Sequence, residues 1–223
     1  MHTELHEMKL ASLKDFAKHY LMIVLSILTA LGLEAWIEHA HHRHAAEVSR
    51  QRMNQELAEV LKDLQRSEQI NQKTLASLKA FDAQIVADLA SGLDTTEVSK
   101  YILAHKSEAT INTNWPTLPT NAWDAAVADQ SVGWIDASTL RRYAAAYTSE
   151  RILSNWLLHD SILLVDAPRL VDTITDLNMD RPVEPYAVLH SLRQMEQMLS
   201  TTISFSQGTA HDIQPILDNA DRL

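Results

Sequence analysis

From Tyr20 to Ile37 the chain reads YLMIVLSILTALGLEAWI, and no residue between Tyr20 and Leu33 is charged. Wound as a helix at about 1.5 Å per residue, the run spans about 27 Å, close to the ~30 Å hydrocarbon core of a bilayer. Glu34 is the charge inside it and lies near one end, within reach of headgroups. Tyr20 and Trp36 bracket the run as interfacial aromatics do, and Lys14, Lys18 and Arg43 flank it as snorkelling cations. The run is therefore expected to be a membrane helix over 20–37, preceded by a tail over 1–19. A secretory signal fits less well, because Glu34, Trp36 and Ile37 stand where small residues would mark a cleavage site. A buried core helix is the other alternative. Basic residues do not set the orientation: Lys9, Lys14 and Lys18 precede the run, and Arg43, Arg50 and Arg52 follow it. The expectation adopted is a cytoplasmic N-terminus and a periplasmic C-terminal domain in a bacterial inner membrane.

No glycine or proline follows until Gly92, so the helix is expected to leave the membrane and continue over 38–92 as a stalk. One seven-residue column reads Leu57, Leu64, Asn71, Leu78, Ile85, like a coiled-coil seam with a register-setting Asn. Its companion column, Leu61, Glu68, Leu75, Asp82, Leu89, carries acids that a seam excludes. An amphipathic helix packed on later helices is the preferred reading.

The remainder, 93–223, is expected to be an all-α domain packed with the stalk. With 4 Gly and 6 Pro in 223 residues, tight turns are few. Asp94-Thr95-Thr96-Glu97 reads as a capping box opening a helix to about Lys106. Thr110 to Thr120 is irregular, with Trp115-Pro116 and Pro119. Asn121 is expected to cap a short helix ending near Gly133, and Asp136 a long one to about Ala167. Ile135 and Leu140 sit as a hydrophobic staple. The apolar side of that long helix is Tyr143, Tyr147, Leu153, Trp156, Leu163 and Leu164, and Pro168 ends or kinks it. A polar turn over Asp176–Glu184 leads to a helix from Pro185 to about Phe205, broken by Gly208.

The charge balance, 19 basic against 29 acidic side chains, argues against a phosphate-tracking nucleic-acid binder. The absence of Cys removes disulfides, thiol nucleophiles and thiolate metal sites. No phosphate-binding glycine loop or nucleophile elbow occurs. His105, His159, Asp160 and Asp212 follow the order of an HD-type phosphohydrolase, but with loose spacing. Trp115, Trp123 and Trp134 are expected in the core, the alternative being a partner-binding groove.

The densest chemical signal is Glu34-Ala-Trp-Ile-Glu38-His39-Ala-His41-His42-Arg43-His44. At about 100° per residue, Glu34, Glu38, His41 and His42 share one helical face about 100° wide. These four are the candidate metal ligands, and Glu38-x-x-His41 has the spacing used in di-iron bundles, where a second copy would have to come from another chain. The bland reading is a polar collar at the headgroups, with imidazoles that respond to protons as a related possibility.

Ala30-Leu31-Gly32-Leu33-Glu34-Ala35-Trp36 with the His/Arg run after it, and Asn121-Ala122-Trp123-Asp124-Ala125-Ala126 with Gly133-Trp134 and a Leu140…Tyr147 helix, resemble a group of uncharacterised bacterial membrane-anchored helical proteins. The resemblance covers about the first sixty residues and a middle stretch of about thirty, and the run after the anchor is His-rich here where the group has Lys/Arg. It implies topology and no chemistry. The functional expectation is a non-enzymatic, single-pass scaffold or accessory subunit without cofactor, in a homo-oligomer or with a membrane-protein partner. The alternative is a metal- or proton-responsive protein built on the Glu/His collar.

Overall fold

A computed structural model describes residues 13–109, 113–165 and 167–220. The His2/His6 tail, Lys9, Thr110–Asn112 and the side chains of Lys14, Leu163 and Leu164 fall outside the described residues. The fold is all-α. Helix α1 (Leu13–Ala90) is unbroken for 78 residues, followed by α2 (Thr95–Ala104), α3 (Asn121–Ala128), α4 (Ala137–Val165), α5 (Pro168–Asn178) and α6 (Pro185–Ala220). Two 3-10 turns, Lys106–Ala109 and Ser131–Trp134, complete it, and the described residues contain no strand.

Side-chain pairings fix the directions. Gln207 donates to Glu68 and Arg193 to Asp82, so α6 runs antiparallel to α1. Ser149 donates to Asp212 and Trp156 Nε1 to Thr202, so α4 is antiparallel to α6 and parallel to α1. Between Thr113 and Trp134 the chain returns along α1 as a strap that includes α3. Asn71 accepts from Asn114 N at 2.8 Å and donates to Asn114 O at 2.8 Å. Lower down, Asp63 accepts from Thr117 N, Glu56 from Ala122 N, and the Ser49 and Ser131 hydroxyls share a 2.7 Å bond. At the bottom Trp134 stacks on His42. His42, Ser49, Glu56 and Asp63 are spaced by seven, which drifts only about 20° per step around a helix, so one polar line along α1 holds the strap from Thr117 to Trp134, and Asn71 holds its start.

The expected seam column is the buried face of α1: Leu57, Leu64, Leu78 and Ile85 are fully buried, and Asn71 is buried as the clamp on Asn114 rather than as a register device. The acids of the companion column are met by α6, which is why this face needs no second copy of itself. Two clusters share the core. The one nearer the apolar segment gathers Met53, Leu57, Leu64, Tyr143, Tyr147, Leu153, Ile213 and Ile216. The far one gathers Leu78, Phe81, Ile85, Ile102, Leu170, Leu192 and Leu199. Each such buried side chain contributes about 1.5–3 kcal/mol against the entropy of ordering. Burial on α1 begins at Ala46, so most of the expected stalk is a wall of the domain.

The local signals hold in part. Asp94 caps α2 by accepting from Thr96 N, and Gly92, at φ 83°, supplies the left-handed stop after α1. Asp136 accepts from Ser138 N and Thr139 N at the start of α4, which holds its carboxyl well below the usual carboxylate range. Ile135 lies in the near cluster and Leu140 packs against that cluster.

Four expectations fail. Asn121 does not cap α3; the helix begins after Thr120, and its free Ala122 N–H is taken by the Glu56 carboxylate of α1. The polar turn expected over Asp176–Glu184 begins later, because α5 runs to Asn178 with Leu170, Thr173 and Leu177 buried at helical spacing; Pro168, placed as the end of the preceding helix, does follow the end of α4 and opens α5 as its first-turn residue. Gly208 does not break α6, which continues to Ala220 because Ile213 and Ile216 bury against α1 and α4. Pro215 is tolerated inside α6 on an exposed face, and Asn219 donates to its carbonyl. Finally, of the three tryptophans only Trp123 packs on the core, beside Tyr147; Trp115 and Trp134 are exposed.

This packing can be tested at two positions. Asn71→Ala strands the Asn114 amide and carbonyl together, with an expected cost of about 1–3 kcal/mol in urea unfolding and faster amide exchange over 113–120, and no change of oligomeric state. Gly208 has ordinary helical backbone and open space around its Cα, so Gly208→Ala should raise stability by about 0.5–1 kcal/mol in the same assay.

Candidate functional site

The membrane-boundary collar is built by the exposed stretch of α1 and the 3-10 turn at the end of the strap. Glu34, Glu38 and His41 are exposed, while His42 is partly covered. Of the four expected ligands the structure brings two together: His42 Nε2 lies 3.6 Å from Glu38 Oε1, an i,i+4 pair. The covering group comes from elsewhere in the sequence. The Trp134 ring stacks on His42 with centroids 4.2 Å apart and planes 7° apart, and meets His39 edge-on at 5.8 Å. Among the described residues no group of three or more His, Asp or Glu converges to hold a metal ion. The chain by itself therefore offers one carboxylate and one imidazole here, and further ligands would have to come from another chain.

The HD-type set is dispersed. His105 stacks on Tyr101 beyond α2, Asp160 is buried on α4 beside an exposed His159, and Asp212 accepts from Ser149.

A second titratable centre lies inside the near cluster, and the sequence reading passed over it. Glu56 on α1 accepts from Ala122 N, at 3.1 Å to Oε1 and 3.0 Å to Oε2, and from the Tyr147 hydroxyl at 2.9 Å. Glu150, one turn after Tyr147 on α4, is fully buried, and neither carboxylate oxygen has a hydrogen-bond partner among the described residues. Burial and the neighbouring Glu56 push its carboxyl up to about 8, with Arg151 opposing. Burial and Glu56 likewise hold the Tyr147 hydroxyl far above its ordinary range. Burial also raises Asp160, against His159, and Glu196, where Asp82 adds to it. A sequence signal existed: Tyr143, Ala146, Tyr147, Glu150, Leu153 and Leu157 form one helical stripe, so Glu150 sits on the apolar face of α4.

Against known proteins the chain stands apart: no family model, curated protein or solved structure matches it.

Because Glu150 is protonated more readily folded than unfolded, the folded state holds the extra proton between the unfolded carboxyl range near pH 4.5 and about pH 8. Its contribution is present below that window and is lost as pH rises through it. The thermal midpoint should therefore fall from pH 5 to pH 8, by a few kcal/mol in stability, and Glu150→Gln should remove most of that slope.

Proposed function

We propose that this chain is a single-pass protein of a bacterial inner membrane, and that it works as a non-enzymatic scaffold or accessory subunit. The observation that carries the reading is the continuity of α1. Its N-terminal part is long and apolar enough to cross a membrane, and there Leu21, Met22, Ile23, Leu25, Leu28 and Leu31 are all exposed. Without a break the same helix becomes the central wall of the domain. An exposed apolar sleeve of that size in water is unfavourable by about 25 cal/mol per Å², whereas in hydrocarbon it is at home, and Ser26 and Thr29 return their hydroxyls to the Met22 and Leu25 carbonyls. A rigid helix shared by anchor and domain transmits position rather than performing a reaction, which favours a holding role. The carboxyls that the fold buries, Glu150 and Asp160, are closed from solvent. The outer face of α4 leaves Ile152, Leu158 and Ile162 exposed and available to another protein chain, in keeping with an oligomer or a membrane-protein partner. Membership of the bacterial membrane-anchored group, and a periplasmic domain, belong to the same proposal.

In cells, the protein should stay with the membrane through carbonate and high-salt washes and be released by detergent. Cross-linking in intact membranes should then give a species larger than the monomer. Recovery in the carbonate supernatant would overturn the anchor, and monomer alone after cross-linking would overturn the scaffold role.

A further inference from the structure

Trp134 closes the 3-10 turn at the foot of the strap and is 46% exposed. An exposed tryptophan on a small helical domain forgoes most of the burial that its size offers. This one is nevertheless held in a fixed orientation. His42 lies flat against its ring, His39 meets it edge-on, and the turn behind it is pinned by the Ser49–Ser131 bond and by Asp129, which accepts from Ser131 N at 2.9 Å. Among the described residues no group accepts from its indole N–H. The ring is oriented without being buried, and its donor is open.

Helix α1 gives the depth. Because α1 is unbroken from Leu13 to Ala90, height along it follows residue number at about 1.5 Å per residue. His39 and His42 thus stand about 3 and 7.5 Å beyond Ile37, where the apolar run ends. Each headgroup layer of a bilayer is about 5–8 Å deep. Resting on the membrane reading above, we propose that the exposed Gly133–Trp134 tip is a second membrane contact, with the Trp134 indole seated among the headgroups of the bilayer that α1 crosses. The occupant is lipid because helix rise sets the ring at that level. An apolar ring with a free N–H also suits a boundary that is apolar on one side and wet on the other. Asp129 and Asp136 nearby accept from backbone amides and stay ionised, so the contact suits a zwitterionic headgroup rather than an anionic one. Its consequence is geometric. A single helix can spin and tilt in a bilayer, and a second point of contact off its axis fixes which face of the domain meets the membrane.

The chain has no cysteine, so a nitroxide can be placed at one site at a time on the full-length protein in phosphatidylcholine vesicles. Leu31→Cys reports the span and Leu93→Cys the turn just beyond the far end of α1. Gly133→Cys reports the tip, since Gly133 has no atom within 4 Å of a new Cβ and no positive φ. Accessibility to dissolved oxygen against a water-soluble nickel chelate reads depth. The expected order is deep at 31, headgroup level at 133 with several-fold less nickel access than at 93, and water at 93. Adding Trp134→Ala to the Gly133→Cys protein should raise nickel access at 133 several-fold. A deep label at 31 with a water-like label at 133, or no response to Trp134→Ala, overturns the second contact and leaves the anchor standing. A water-like label at 31 overturns both.

Discussion

The packing of α6 antiparallel along α1 is the interaction on which the other elements depend. It buries Leu57, Leu64, Leu78 and Ile85 of α1 and Leu192, Leu199, Ile213 and Ile216 of α6, and it spans both core clusters. Helix α4 is placed mainly through α6, by Ser149 with Asp212 and Trp156 with Thr202, and reaches α1 by long side chains such as Tyr143, whose hydroxyl donates to Asn54 at 2.5 Å. Without the α1–α6 pair, α4 and α5 would have no wall to close against.

The same helix imposes a second constraint. One face of α1 is apolar and belongs to α6; the adjacent line of His42, Ser49, Glu56 and Asp63 is polar and belongs to the strap. The strap is not a helix over most of its length, so its backbone amides need partners that it cannot provide for itself. Asn71, Asp63 and Glu56 of α1 accept from the Asn114, Thr117 and Ala122 amides, and the Ser49 hydroxyl holds the Ser131 side chain, which carries the returning chain down to the foot of the domain. Glu150 is the exception inside this scheme, a carboxyl on the apolar face of α4 that is tolerable because it can stay protonated.

Much of the helical outline could be read locally. The capped starts of α2 and α4, the stop at Gly92 and the apolar column of α1 depend on residues within a turn or two of each other, where backbone hydrogen bonding and side-chain spacing decide the outcome. The reading failed where a local signal was outvoted by burial: Gly208 and Pro215 would each weaken an isolated helix, yet Ile213 and Ile216 keep α6 intact. It failed at α3 because the cap is a carboxylate from a distant helix. Of the collar, the Glu38–His42 pair follows from i,i+4 spacing, but Trp134 lies far away in the chain and no periodicity connects it to His42.

By itself the sequence determined that the chain is helical, that one segment is long and apolar enough for a bilayer, and that the segment continues unbroken into amphipathic helix. Those properties are set by composition and spacing along a single element. Only the tertiary structure decided which partner covers each face of α1. It turned a polar heptad line into the seat of the strap, left the Glu150 carboxyl inside the core without a hydrogen-bond partner among the described residues, and brought Trp134 onto the histidines at the end of the apolar run. Such pairings join residues far apart in sequence, and they exist only once the long helices have packed.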